Sequence, residues 1–295
     1  MYLNGYTAPE RLQEEEYHAS TAREEYDLNF CYPVPEERLE TKGGVRIVPL
    51  IPSLHGPRLF QLFSAGPEGF RWLPYGPFPT YAAFLTLLEF ARRDSGTLLF
   101  AVYDLALEFD DGVEEDFEAE AAMGLREERI AGIVGVSKSV PANRMTEIGH
   151  LHIPAPFQRT HVLTHAISLV LSWLLDAPSP ALPSALGLRR VQWFANASNV
   201  PSIRAAERLG LVKEAAHLAW ERILPRAKDG VELPAFLQGE RREEELERGL
   251  GRHSSVLAMG WDTWEERGRE QVRRLVEREV KVRKAGEVPG LLPAA

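Results

Sequence analysis

At 295 residues with 44% hydrophobic side chains, the chain is long enough to bury a substantial core, as one large domain or two small ones. A formal net charge of −9 and a pI near 5.5 argue against duplex nucleic acid as a partner, because phosphate neutralisation needs a basic face. The lone cysteine, Cys31, rules out an internal disulfide framework, and no apolar run reaches membrane-spanning length.

Such an acidic balance suits cationic partners (amines, polyamines, Lys/Arg-rich segments) or serves solubility alone. Glu14-Glu15-Glu16 make the N-terminal region too acidic for a signal or transit peptide, so the expected location is the cytoplasm, with the nucleus left open. Residues 1–44 lack a clear period and end in Lys42-Gly43-Gly44, which reads as an extension wrapped on the surface or partly disordered. The segment 45–49 (VRIVP) is a short strand, and 52–64 is a helix through Leu54, Leu59, Phe60, Leu62 and Phe63. Two prolines and a glycine make 72–78 an aromatic loop that covers a small ligand or, as the favoured reading, packs on the core. Thr80 is the expected N-cap of an amphipathic helix over 80–92, and 97–103 (TLLFAVY) is a strand. An acidic tract follows, with Asp104, Glu108, Asp110, Asp111, Glu114, Glu115, Asp116, Glu118 and Glu120. It reads first as a solvated excursion, and second as a collar that draws a cationic amine towards a cleft.

Residues 129–139 and 145–153, turned at Pro141-Ala142-Asn143, form an antiparallel hairpin. Pro154-Ala155-Pro156 ends its second strand because proline lacks the ladder donor. The stretch 160–175 is apolar nearly all round and reads as a buried helix. A Pro/Ser loop over 176–187, a strand over 190–195 and a short helix come next, the helix with Asn199 as N-cap, Pro201 in its first turn and Gly210 at its end. A strand over 211–223, a charged loop or solvated helical turn over 225–251 and a last strand over 253–260 lead to a C-terminal helix from Asp262. That helix carries a capping-box pattern in Asp262 and Glu265, the pairs Glu270/Arg274, Glu277/Lys281 and Glu279/Arg283, and a stop at Gly286. Its narrow apolar side is expected to dock on the same chain; the other reading is a partner copy in a homodimer.

Chemistry enters between the strand 145–153 and the helix after it. A strand end feeding a helix start leaves backbone N–H groups unpaired at the positive end of the helix dipole, which binds phosphate without any special side chain. Gln158, Arg159 and Thr160 add donors there, and Glu147 is the only carboxylate on the strand leading in. His161 and His165 have the i,i+4 spacing of two zinc ligands, with His150 or His152 as a third. Such pairs are mostly incidental, and no metal is expected. His150 or His152 could also take a proton near neutral pH, plain packing being the favoured reading.

Glu147-Ile148-Gly149, Phe157-Gln158-Arg159-Thr160, Thr164-His165-Ala166, Leu188-Arg189-Arg190-Val191-Gln192-Trp193, Asn199-Val200-Pro201-Ser202 and Ala206-Glu207-Arg208-Leu209-Gly210, in this order, resemble the GNAT N-acetyltransferase superfamily. The branch resembled is that of the ribosomal-protein-alanine acetyltransferases (RimJ/RimL-like), and the likeness spans about 45–225. It implies an α/β fold, with a mixed, largely antiparallel twisted sheet flanked by helices. The chain then divides into an extension (1–44), an acetyltransferase domain (45–261) and a C-terminal helix and tail (262–295). The domain would carry an acidic insertion at 104–128, the Pro/Ser loop at 176–187 and the charged loop at 225–251.

The same resemblance implies acetyl-CoA as cosubstrate and N-acetyl transfer to the primary amine of a small molecule or a protein N-terminus. Glu147 is then the general base, and backbone N–H groups near Leu151, His152 and Ile153 polarise the acetyl carbonyl. The turn through Gln158, Arg159, Thr160, His161, Val162, Leu163 and Thr164 holds the pyrophosphate; Asn199 holds the coenzyme arm. Ser202 protonates the leaving thiolate, where many members use a tyrosine. Local alternatives are an ion pair of Glu147 with Arg129, Lys138 or Arg190, and simple capping by Asn199. Thr160-His161-Val162-Leu163 stand where the family's phosphate loop has glycines, and His165 replaces its glutamate. Glycine lets a backbone approach a pyrophosphate closely. The alternative function is therefore a GNAT-fold protein that binds acyl-CoA or a partner with weak or no turnover. Cys31 lies outside the motif region, which favours direct attack in a ternary complex over an acyl-enzyme.

Overall fold

The computed structural model describes residues 2–8, 11–118, 124–226 and 228–291. In chain order its elements are β1 (Leu39–Glu40), β2 (Val45–Pro49), α1 (Pro52–Ala65), α2 (Tyr81–Arg93), β3 (Leu98–Asp104), β4 (Leu107–Glu108), β5 (Ile130–Val140) and β6 (Met145–His152). They continue with α3 (Val162–Leu175), β7 (Arg190–Asn196), α4 (Val200–Arg208), β8 (Val212–Ile223), α5 (Gly239–Arg248) and β9 (Gly251–Gly260). Then α6 (Trp261–Thr263) runs through a π-helical turn, Trp264–Gly268, into α7 (Arg269–Val276), and β10 (Arg283–Lys284) follows.

Eight strands form one sheet in the order β1-β2-β3-β5-β6-β7-β9-β8. Every neighbour is antiparallel except the pair β6–β7. Successive side chains on a strand point to opposite faces, so the strands that carry apolar residues at both parities are covered on both sides. On one face, His55 of α1 packs edge-on against Tyr103, and Phe63 of α1 stacks on His152. On the other, Trp173 of α3 meets Phe100, and Trp193 of β7 hydrogen-bonds Ser202 of α4. Trp173, Trp193 and Trp264 are fully buried; burying a large apolar side chain contributes about 1.5–3 kcal/mol. Thr80 caps α2 as expected, its Oγ1 accepting from the Ala83 N–H at 3.0 Å. Among the described residues, no helix is long and apolar enough to cross a membrane.

Several local expectations are changed by the structure. The acidic tract is not simply solvated. Asp104 is fully buried, with His161 at 3.2 Å and Arg283 at 2.7 Å, and Glu115 pairs with buried Arg129 at 2.6 Å. Glu120 lies outside the described residues. The C-terminal helix stops at Val276 rather than near Gly286, because the chain beyond it lays Arg283-Lys284 beside Leu107-Glu108 as a parallel pair. Arg283 therefore meets Asp104 instead of Glu279, while Glu270 does hold Arg274 at 2.6 Å. The Asp262 capping box does not form, since Asp262 accepts from the adjacent Thr263 N–H. Docking on the same chain is observed, with Trp264, Val272 and Leu275 buried. Of the two readings of 225–251, the solvated helical one holds for 239–248, which form the regular helix α5 with no buried residue.

Candidate functional site

The parallel pair that positions the site is short. Met145–Ile148 pair with Arg190–Trp193, and there the ladder stops. Beyond it β6 stays with β5 while β7 stays with β9, so the two strands splay. The cause is local. His150 takes a left-handed backbone (φ 52), the β5–β6 register shifts around it, and Gly132, beside His152 and Ile153, has φ 137. A Cβ on Gly132 would lie 2.3 Å from the His152 carbonyl oxygen, so only glycine permits this approach. The splay opens a cleft of about 1230 Å³ that runs through both faces of the sheet, bordered by Gly149–Ile153 on one strand and Trp193–Asn196 on the other.

At one end of the cleft lies the strand-to-helix turn. Arg159 adopts φ 59, the left-handed conformation that glycine suits best, at a cost of about 1–2 kcal/mol. The helix α3 has no side-chain cap at His161. Among the described residues, the backbone N–H groups of Arg159, Thr160, His161, Leu163 and Thr164 donate to no protein acceptor; that of Val162 reaches Thr160 Oγ1 at 3.3 Å. The side chains brace the turn: Gln158 Nε2 donates to the Ile153 carbonyl at 2.8 Å, and Thr160 Oγ1 donates to that of Phe157 at 2.6 Å. His161 is drawn to the sheet end, where its Nε2 lies 3.0 Å from the Gly44 carbonyl, and His165 Nδ1 meets Thr41 Oγ1 at 2.7 Å. Both rings are thus held by protein partners, and no group of three or more metal-binding side chains occurs among the described residues. Exposed Arg159, Arg208 and Arg278 border this end, and Arg208 donates to Thr164 Oγ1 at 3.0 Å. Free amides, a helix N-terminus and three guanidinium groups suit a pyrophosphate.

The reacting centre lies nearer the splay. Glu147 is 6% exposed and accepts from Lys138 Nζ at 2.9 Å, which realises one of the ion pairs weighed above. Burial pushes its carboxyl above the usual carboxylate range, against the lowering pull of Lys138. Asn199 caps α4, accepting from the Ser202 N–H at 3.3 Å. Ser202 Oγ accepts from Trp193 Nε1 at 3.0 Å, which leaves its own hydroxyl proton free to be donated. Desolvation lowers His150 to about 4 and His152 to about 3, so both are neutral near pH 7. His150 stacks on Tyr75, and His152 is packed between Phe63 and Phe70. Cys31 is not on the cleft.

Residues 46–212 match the family model of the acetyltransferase (GNAT) domain. The chain belongs to the GNAT acetyltransferase family. No curated protein matches it. Among solved structures, a GCN5-related N-acetyltransferase from Brucella melitensis is similar at 23% identity and a TM-score of 0.60, over 83% of this chain and 87% of that one. Mycobacterium smegmatis RimJ in complex with CoA-disulfide is similar at 16% identity and a TM-score of 0.50, over 83% and 94%. The acetyltransferase MccE, of microcin C7 self-immunity, in complex with acetyl-CoA and AMP is similar at 15% identity and a TM-score of 0.50, over 74% and 93%. At these identities the likeness concerns the fold.

The candidate catalytic and coenzyme-binding residues named from the sequence border one cleft in this GNAT domain, except Val162, whose side chain is buried. Of the acidic tract, no described carboxylate borders the cleft. Sequence reasoning passed over Arg208 and Arg278 at the phosphate end, and Arg222 and Arg252 on the opposite side. Arg208 sits inside the matched Ala206–Gly210 motif and could have been found there. The other three depend on contacts between distant segments.

Proposed function

We propose that this GNAT domain is an acetyl-CoA-dependent N-acetyltransferase acting on a primary amine of a small molecule or protein, by direct attack in a ternary complex. The observation that carries the reading is the splay of β6 from β7, with the acceptor-free amides of Arg159, Thr160, His161, Leu163 and Thr164 at its mouth. Acetyl-CoA supplies an acetyl group already activated as a thioester. Its pyrophosphate fits the amides of Arg159, Thr160, His161, Leu163 and Thr164, with Arg159, Arg208 and Arg278 around them; Gln158 and Val162 keep the turn in shape, and Asn199 lies along the coenzyme arm. Glu147 takes the proton from the incoming ammonium, a task that its raised affinity for protons suits. Backbone N–H groups of the bulged segment Leu151, His152 and Ile153 donate to the carbonyl oxygen as it gains negative charge. As the C–N bond forms and the C–S bond breaks, the second proton shed by the nitrogen passes through the Ser202 hydroxyl to the departing sulfur, which leaves Ser202 neutral; Trp193 Nε1–H, already directed at Oγ, holds that hydroxyl for the relay.

The second reading, a GNAT-fold protein that binds acyl-CoA with little turnover, draws on the Lys138 ammonium 2.9 Å from Glu147, which holds the proposed base. Acetyl-CoA at a hundred times its Kd should stabilise the full chain by about 2.7 kcal/mol, and thiol release should follow on addition of one or more amines from a broad panel. Stabilisation without thiol release on any amine would favour the second reading. No stabilisation would overturn both.

A further inference from the structure

Four arginines in the described chain are at most 5% exposed: Arg46, Arg58, Arg129 and Arg252. The first three have acceptors. Arg46 holds Glu40 and the Phe117 carbonyl, Arg58 holds Gln61 and the Leu291 carbonyl, and Arg129 holds Glu115. Arg252 has none: among the described residues its side chain makes no hydrogen bond and no ion pair, and its Nε is a buried donor without a partner. A buried guanidinium without an acceptor is costly, because lost hydration is not replaced. Arg252 borders the cleft, so the acceptor can come from a ligand there.

Its surroundings point to an anion. Arg222 stands directly across from Arg252 in the β8–β9 register, and like charges facing each other across strands repel. Two carboxylates act on Arg252, and each is already paired, Glu221 with Arg222 at 2.9 Å and Glu147 with Lys138 at 2.9 Å. Lys138, Arg222 and Arg252 thus face Glu147 and Glu221, leaving one positive charge without a counter-charge. The side is also the right one. Glu147 is in register with Gln192 of β7, and so on the sheet face opposite Ile148 and Trp193, whose indole reaches Ser202 and α4. Its cleft wall is completed by Leu87 and Phe90 of α2 and by Asp94 just after it. Of these, Asp94 accepts from Gly96 N–H and Thr97 Oγ1.

We propose that Arg252, with Arg222 across from it, binds an oxyanion carried by the acceptor itself, so that the substrate is a small amine bearing a carboxylate or a phosphate. This rests on the acetyltransferase reading above. The ammonium faces Glu147 while the oxyanion lies against the guanidinium fork, which accepts either group in the same bidentate way. A plain cationic amine or polyamine would leave Arg252 without a counter-charge.

The test compares matched amines on the full chain: ω-amino acids of increasing length against the n-alkylamines of the same length, and O-phosphoethanolamine against ethanolamine. At least one amine bearing the oxyanion should exceed its match without one in kcat/KM by about ten- to hundredfold, the usual weight of a charge-assisted hydrogen bond. The matched pair showing this separates carboxylate from phosphate. In Arg252→Gln the ratio should fall towards one, and Arg252→Lys should keep part of it; an unchanged thermal shift with acetyl-CoA verifies the fold of each. If Arg252→Gln does not fold, the part-exposed Arg222→Gln should lower the ratio instead. No preference in the wild type, or a preference surviving both replacements, would overturn the proposal. Should no amine be acetylated although acetyl-CoA binds, calorimetric titration of the same anionic amines decides separately: binding lost in Arg252→Gln upholds the oxyanion site without the transferase, and no binding to the wild type overturns it.

Discussion

Replacing Glu147 by Gln is expected to lower kcat/KM for amine acetylation by about 10²–10⁴-fold, the usual contribution of a positioned general base. The fold should survive. Gln keeps the shape and one oxygen for Lys138 Nζ, and it removes a carboxylate whose burial already disfavours the charged form. The raised folded-state value fixes the sign of the linkage. Whatever stability Glu147 contributes is fully present below its unfolded value of about 4.3, and is lost as pH rises through its higher folded value. At pH 7 the variant should therefore melt at or above the wild-type temperature while losing turnover. In the wild type, kcat/KM should rise with pH through an apparent value above the ordinary carboxylate range. A variant that melts far lower, or one that retains the wild-type rate, would return Glu147 to a purely structural role beside Lys138.

Lowering the pH from 6.5 towards 4 should destabilise the fold steeply, because three buried histidines resist protonation. His55, His152 and His165 are at most 5% exposed, and desolvation first of all brings them to about 4, about 3 and about 4. In the unfolded chain each titrates near 6.5. Below that pH the unfolded state binds the extra protons, so the stability they contribute is present above 6.5 and is lost as pH falls through the folded values. Each full proton difference amounts to about 1.4 kcal/mol per pH unit. Three together, over about two units, rival the 5–15 kcal/mol typical of a whole domain. Urea midpoints at pH 7 and pH 4.5 measure this directly. His152→Phe, which keeps the stack between Phe63 and Phe70, should flatten the slope by about one proton. A midpoint unchanged between the two pH values would contradict the burial of all three rings.

The features legible from sequence are those that neighbours along the chain decide. Alternation and Pro141-Ala142-Asn143 gave away the β5–β6 hairpin, the apolar stretch gave α3, and Thr80 and Asn199 announced the helices they cap. Long-range electrostatics stayed hidden. Asp104 looked like the start of a solvated acidic run, yet it is buried because His161 and Arg283 reach it from far along the chain. Glu279 and Arg283 had the spacing of a helical pair, and the pull of Asp104 on Arg283 instead accompanies an extended tail. Arg222 and Arg252 become opposite partners only through a β8–β9 register interrupted by three shifts, which no local pattern encodes. The phosphate turn is the instructive case. Its lack of glycine was plain in the sequence, whereas its backbone still turns left-handed at Arg159, so composition revealed the cost and concealed the conformation.

Backbone hydrogen exchange across residues 159–164, with and without saturating CoA, tests the central claim most directly, since all of these amides but that of Val162 have no acceptor within the described protein. CoA bound through its pyrophosphate should slow exchange there by about tenfold or more, as new hydrogen bonds close the turn, and pantetheine, which lacks the pyrophosphate, should leave these amides fast. Unchanged exchange at 159–164 under CoA concentrations that demonstrably saturate the protein would contradict a coenzyme held by this turn.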